Sequence, residues 1–422
     1  MSAFSRRGGE LCCEAIAVSE LAKKFGTPLY VYSKNGIVDR CRGFRAALGN
    51  TKICYAVKAN SNPSILTLLH AAGFGMDVVS VGEMEHALKA GALPSDIVFS
   101  GVGKTDAEIE RGISLGIFSF NVESRFEMEA IARIVARLKK PVRISFRVNP
   151  NVDVMTIPYI ATGLYENKFG VPEGDLAELL EIVEGEPLVK LVGIGCHLGS
   201  QLLELKPYQL ASSRLAKIAS ELKVAGHPIE FIDMGGGLGV SYVDEKPPSL
   251  KDYGAIVRAE ADRLGVRLVI EPGRSVIADN GILVASVLGC KSTPKRNFCV
   301  VDAAMNDLIR PSLYEAVHRV EPVVESPVKA KFDVVGPICE TGDFLARDRE
   351  LKKPERGDLW VVMSAGAYGF SMASNYNSRP RAVGPTSWSR RAAGQDKTDS
   401  KTPCGWRFGK MLFHRLAQED TE

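Results

Sequence analysis

From about residue 50 onward, short runs rich in β-branched and aromatic residues alternate with longer stretches whose apolar positions recur at helical spacing. Eight of the short runs read as strands: "ICYAV" ending at Lys58, "GFGMDVVS" near Ser80, "DIVFSG" near Gly101, "FSFNV" near Glu123, "VRISFRV" near Asn149, "LVGIGCHLG" near Ser200, "IEFIDMGGG" near Gly237 and "RLVIEPG" near Gly273. Between them lie helical stretches such as "PSILTLLHAAG", where Leu66, Leu69 and His70 keep helical spacing and Gly73 offers a stop. This alternation predicts βα units around a parallel sheet. Eight strands with seven intervening helical segments suit a closed (β/α)8 barrel better than an open doubly wound sheet, which spacing alone leaves possible.

Beyond about residue 280 the rhythm changes. "ILVASVLGC", "NFCVVDAAM", "KFDVVGP" and "DLWVVMSAGAY" are β runs separated by turns and polar loops, which predicts an antiparallel β domain. The early segments "GELCCEAIAV" and "PLYVYS" are candidates for further strands of the same domain. The expected division is therefore a barrel over residues 28–280, a β domain built from 1–27 and 281–381, and an atypical tail over 382–422. That tail, from "AVGPTSW" onward, is rich in breakers and charge without sustained alternation, and is expected to be mobile for much of its length.

Composition narrows the class of partner. A chain of 422 residues at 45% hydrophobic is globular, and 53 basic against 50 acidic side chains leave a net charge of only +3. No footprint for nucleic acid or an anionic membrane is visible, so small molecules are the expected partners. No apolar run approaches the ~18 residues of a membrane span. Arg6-Arg7 is followed by Glu10, Glu14 and Glu20 where an export signal needs an apolar region. The nine cysteines form no CxxC pair and no Cys/His cluster with zinc spacing, and read as reduced thiols of a cytoplasmic protein without a metal site.

In a barrel the reactive site lies at the C-terminal ends of the strands. That position makes candidates of Lys58, Asp77, Arg147, His197, Ser200, the Gly235-Gly236-Gly237 run, Glu271 and Arg274. Lys58 is either a surface amine whose stem covers apolar area or, inside a dry barrel mouth, an amine of lowered pKa able to attack a carbonyl. A tight turn accounts for one glycine of "DMGGGLGV" but not three. Bare backbone N–H groups after the seventh strand suit a phosphate-bearing ligand. Glu271 either ion-pairs with Arg274 or, if that ligand is pyridoxal phosphate, pairs with the pyridine nitrogen and keeps it protonated. His197 is either a satisfied core histidine or a flat partner against the ring.

Taken together, "YAVKAN", "HLGSQ", "GGGLG", "EPGRS", "RPSLYEA", "CETGDFLARD" and "GAYGFSMASNYNSRPR", in that order over about residues 10 to 381, resemble the diaminopimelate decarboxylases. These are fold-type III pyridoxal-phosphate enzymes related to ornithine decarboxylase and alanine racemase. The resemblance implies a pyridoxal-phosphate-binding (β/α)8 barrel followed by a β domain, and a homodimer with active sites shared across the interface. It implies decarboxylation of meso-2,6-diaminopimelate to L-lysine, the last step of lysine biosynthesis. Carried over by residue, Lys58 would carry the cofactor, His197 would stack on its ring, Ser200 and Gly235 to Gly237 would hold phosphate, and Glu271 would face the ring nitrogen. Asp77 and Arg147 join that cofactor-binding set, and Tyr368 would lie beside it. Arg274, Arg310, Tyr314, Glu340 and Tyr368 look like substrate ligands. Cys339 and Glu340 would come from the second subunit, Cys339 as a candidate proton donor.

Substrate choice turns on the second carboxylate of diaminopimelate, which needs a matched cation when buried. Arg310 and Arg274 offer one. Decarboxylation of another basic amino acid or of carboxynorspermidine, and a non-catalytic pyridoxal-phosphate-binding regulator, are the alternative readings; a racemase would not need "RPSLYEA" or "CETGD". Two positions depart from the pattern: Ile157 stands where His is usual, and Thr341 replaces the usual Ser while keeping a hydroxyl.

Overall fold

The computed structural model describes residues 3–150, 152, 168–325 and 329–384; Ile157 and the tail beyond Gly384 lie outside the described residues. The chain opens with β1 (Phe4–Arg7), β2 (Glu10–Cys13), β3 (Ile16–Ala17), α1 (Val18–Phe25), β4 (Leu29–Tyr32) and α2 (Lys34–Leu48). Then β5 (Lys52–Ala56), β6 (Gly75–Val78), β7 (Ile97–Phe99) and β8 (Ser119–Val122) alternate with α3 (Pro63–Ala71), α4 (Val81–Lys89), α5 (Asp106–Leu115) and α6 (Arg125–Leu138). After β9 (Val142–Asn149) and the short β10 (Val171–Pro172) come α7 (Leu176–Gly185), β11 (Val189–Gly195), α8 (Lys206–Val224), β12 (Phe231–Asp233), α9 (Leu250–Leu264) and β13 (Arg267–Ile270).

The eight barrel strands run β9-β11-β12-β13-β5-β6-β7-β8, all neighbours parallel, and β8 pairs back onto β9. That last pairing closes the barrel, so the open sheet is excluded. All eight expected strands are present. The helical ring is closed by α2, which packs between α9 and α3. It fills the eighth place because β13 is followed by only a one-turn α10 (Arg274–Ile277) before the chain leaves for the β domain.

Local chemistry sets the helix starts. In "KANSNPS", the Asn62 side chain accepts from Ser64 N (3.0 Å) with Pro63 in the first turn of α3. Asn60 donates to Tyr32 Oη and to Gly366 O (both 3.0 Å), so the polar residues after Lys58 tie the barrel mouth to the β domain.

The β domain contains β14 (Gly281–Ser292), β15 (Asn297–Val301), α11 (Arg310–Tyr314), β16 (Val320–Pro322), β17 (Lys329–Val335), β18 (Phe344–Lys352) and β19 (Leu359–Val362). Its sheet runs β16-β19-β14-β15-β17-β18, with β4 also on β14. The expectation of a purely antiparallel sheet is corrected at one pair: β15 and β17 are parallel. Between them the chain crosses through α11 and β16, a connection long enough to return the strand in the same direction. The boundary expected at residue 28 also moves, because Leu29–Tyr32 pair with β14 rather than with the barrel. The N-terminal hairpin forms its own sheet, β1-β2-β3, bridged to the domain at Glu10 and Val324.

Candidate active site

Side chains of a barrel strand face the axis at every second residue. Cys54, Val98, Val192, Phe231 and Val269, from five strands, form a dry apolar plug. Two positions beyond Val98, Phe231 and Val269 stand Ser100, Asp233 and Glu271, and the plug gives way to a polar layer. Asn121 ties that layer together: its Nδ2 donates to Glu271 Oε1 (3.0 Å), Ser100 Oγ (3.1 Å) and Asp233 Oδ2 (3.4 Å), and its Oδ1 accepts from Ser145 Oγ (2.7 Å). Burial pushes both carboxyls up, and for Glu271 the charges of Asp233 and Asp77 push further. The two carboxyls are coupled, and with both raised the pair holds a proton that neither would keep alone in water.

Lys58 lies in the turn that follows β5, and its Nζ donates to the fully buried Asp77 at 2.6 Å. A lowered Lys58 pKa was the expectation for a dry mouth; the structure corrects it. Burial does work to lower it, but the carboxylates of Asp77 and Glu271 outweigh that cost and hold the ammonium above the ordinary lysine value. Glu83, which the sequence reading passed over, stands near the same lysine, and burial raises its carboxyl to about 7.

His197 follows β11, and its Nδ1 accepts from Gly236 N (3.1 Å). Burial, then the charges of Arg147 and Lys58, push it well below the usual histidine value, so the ring is neutral. Arg147 is itself fastened to the buried Glu123 (2.8 Å). Two N–H groups of the glycine run are already engaged, Gly235 by Asp233 Oδ1 (2.8 Å) and Gly236 by His197. The expectation of three bare N–H groups is thus corrected to Gly237. A Cβ there would approach Gly199 O to 2.5 Å at a φ of +101°, so this close turn admits only glycine. Glu271 does not pair with Arg274 among the described residues.

Arg274 instead donates from Nε (3.1 Å) and Nη2 (2.8 Å) to Ser200 Oγ, and from Nη1 to Tyr242 Oη (2.6 Å). Arg310, buried at the start of α11, reaches the same phenol from the β domain at 2.8 Å. Tyr368, at a φ of +55°, donates its N–H to Ala59 O (2.8 Å), and its ring lies 4.9 Å from the Arg274 guanidinium carbon. Tyr314, half-buried, ends α11 about one turn beyond Arg310. Cys339 and Glu340 stand apart: both are exposed on the loop between β17 and β18, fastened to Asn377 Oδ1 (3.1 Å, from Cys339 N) and to the Tyr376 hydroxyl. No contact joins them to Lys58 among the described residues.

Asp233, Asn121, Ser145, Tyr242 and His318 were not singled out from the sequence. The first three were findable, since each lies on the strand face set by the period of two. Tyr242 and His318 carry no such local signal.

Pyridoxal phosphate fits this donor set, with an amine for its aldehyde, a buried carboxyl of raised pKa for its ring nitrogen, and N–H and hydroxyl groups for its phosphate. Asp77 Oδ1, beside Lys58, is buried without a hydrogen-bond partner. Residues 12–278 match the family model described as "Pyridoxal-dependent decarboxylase, pyridoxal binding domain". The chain is 46% identical over 379 residues to the diaminopimelate decarboxylase of Aquifex aeolicus, covering 89% of this chain and 90% of that one. With the Pseudomonas aeruginosa enzyme of the same name it shares 47% identity over 388 residues, 91% and 93% of the two chains. The crystal structure of Helicobacter pylori diaminopimelate decarboxylase complexed with L-lysine superposes with a TM-score of 0.84 at 44% identity, over 87% of this chain and 93% of that one. With likeness in sequence and fold over 87–91% of the chain, and a barrel mouth whose chemistry suits the cofactor, the chain belongs to the diaminopimelate decarboxylase family of pyridoxal-dependent decarboxylases.

Proposed function

We propose that this chain decarboxylates meso-2,6-diaminopimelate to L-lysine and carbon dioxide, with pyridoxal phosphate attached at Lys58. The observation that carries this reading is the pair of buried guanidiniums, Arg274 and Arg310, meeting on Tyr242 at the mouth that holds Lys58. A substrate with an amino-acid group at each end matches such a corner, whereas ornithine has no distal carboxylate and would leave it uncompensated.

When bound, the cofactor supplies an electron sink for the bond that breaks between Cα and the carboxylate. The chain's own groups set the protons. Lys58 must lose one before its nitrogen can attack an aldehyde, and Asp77 at 2.6 Å is the adjacent acceptor. Glu271, raised by burial and coupled to Asp233, can pass the pair's proton to the ring nitrogen and keep the resulting ion pair. His197, neutral and fastened at Nδ1, presents a flat uncharged face. Gly237 N–H and the Ser200 hydroxyl suit the phosphate, and the charge of Arg147 acts on His197.

The same reading divides the chain into a cofactor-holding barrel and a β domain that brings Arg310, Tyr314 and Tyr368 to its mouth. The exposure of Cys339 and Glu340 supports a homodimer in which this loop completes the partner's site, with Cys339 as a proton donor to Cα. We place the enzyme in the cytoplasm. No helix among the described residues is long and apolar enough to cross a membrane.

The test is carbon dioxide release from meso-diaminopimelate, ornithine, arginine and lysine by the purified holoenzyme. Turnover is expected with the first and to be far weaker with the others. Comparable turnover of ornithine overturns the assignment.

A further inference from the structure

Behind the two arginines lies a residue that touches neither Lys58 nor the glycine run. His318, fully buried between α11 and β16, has Nδ1 2.9 Å from Met363 O and Nε2 3.1 Å from Arg310 Nη1. A backbone carbonyl can only accept, and a guanidinium can only donate. The proton therefore sits on Nδ1, and the Nε2 lone pair faces Arg310. Burial and the adjacent Arg310 push the ring down to about 3, which keeps that lone pair available.

Tyr242 completes the frame. Its ring meets the His318 ring edge-on, with centroids 4.9 Å apart, and its hydroxyl accepts from Arg274 and Arg310. Its own backbone is fixed by Glu245, which accepts from Tyr242 N and Val243 N (both 2.8 Å). Both bonds of Arg310 leave from Nη1, whose two hydrogens are thereby used. Its Nε and Nη2 donors, the edge suited to a bidentate carboxylate, bind no described residue. In Arg274 that same edge is taken by Ser200.

We propose that His318, together with Tyr242, is a positioning residue that orients the Arg310 guanidinium so that its Nε–Nη2 edge meets the distal carboxylate of the substrate. The inference rests on the proposed function and adds to it the device that sets substrate preference. A guanidinium on a flexible stem has many rotamers, and fixing it in advance removes an ordering cost from substrate binding.

The test uses the holoenzyme with meso-diaminopimelate as substrate, and compares His318→Leu, His318→Gln and Tyr242→Phe with wild type. His318→Leu is expected to raise KM about tenfold or more with kcat changed no more than about threefold. The bound cofactor's absorbance should be unchanged. Inhibition by L-lysine, which keeps a carboxylate, should weaken in parallel, while inhibition by 1,5-diaminopentane, which has none, should not move. His318→Gln, whose amide oxygen can accept from Arg310, should restore KM to within about threefold of wild type. An unchanged KM in cofactor-loaded His318→Leu overturns the inference, and so does equal weakening of both inhibitors. Should that variant fail to fold, Tyr242→Phe decides, and an unchanged KM there refutes it. A wild type that does not turn over meso-diaminopimelate refutes the parent function instead, and the inference falls with it.

Discussion

Two walls of the same mouth are built on opposite electrostatic plans. The barrel wall sets the carboxyls of Asp77 and Glu271 about the Lys58 ammonium, with Asp233 coupled to Glu271. The corner where the barrel meets the β domain gathers two guanidiniums around one phenol, with a neutral histidine behind them. On the first wall burial, reinforced by neighbouring negative charge, raises the carboxyls and keeps a proton in the pair of Asp233 and Glu271. At the second, burial and then the adjacent positive charge lower the pKa of His318, and Arg310 keeps an anion-ready edge. The difference assigns the two walls different tasks: proton handling at a cationic ring, and recognition of a carboxylate.

The comparison breaks most completely at Lys58. Lys58→Ala should abolish covalent attachment of the cofactor and lower activity by at least about a thousandfold. Borohydride reduction and peptide mapping of the wild type should place the label on Lys58, and label on another lysine refutes the assignment.

Next comes the cationic corner. Arg310→Ala should cost about 2–5 kcal/mol in kcat/KM for meso-diaminopimelate, because it leaves a desolvated carboxylate without its partner. Cofactor absorbance should be retained, which separates this wall from the first.

The exposed Cys339 loop tests whether both walls are completed in trans. Lys58→Ala and Cys339→Ala, each inactive alone, should recover about a quarter of wild-type activity after random 1:1 exchange, since half the dimers then carry one intact site. Absence of recovery in heterodimers shown to have formed means that each site is built within one chain.

The smallest effect is on stability at the acidic wall. The raised carboxyls of Asp233 and Glu271 hold a proton in the folded state above about pH 4, where the unfolded chain has released it. Folding stability therefore falls as pH rises through that range. In Asp233→Asn the amide oxygen can still accept from Gly235 N while the coupled carboxyl is gone, so the decline between pH 5 and pH 8 should flatten. Urea unfolding of cofactor-free protein at the two pH values measures it, and an equal slope in both proteins refutes the shared proton.

Much of this was legible in the residues themselves. The eight barrel strands follow from apolar runs broken by helical periods, because period is a local property of backbone geometry. Lys58, Asp77 and Glu271 could be named as candidates because a parallel barrel sends every strand's C-terminal end to one face. The parallel pairing of β15 with β17 was not legible, since strand direction depends on the path of the intervening chain and leaves no mark in either strand. Nor were the raised pKa of Lys58, set by carboxylates on other strands, and the neutral state of His318, set by burial and by Arg310. Sequence by itself determined which residues could reach the mouth and in what order the elements form. Only the tertiary structure decided that Tyr242, Arg274, Arg310 and His318, drawn from two loops and two short helices, meet at one point: electrostatic neighbours are set by distance in space, and spacing along the chain does not encode it.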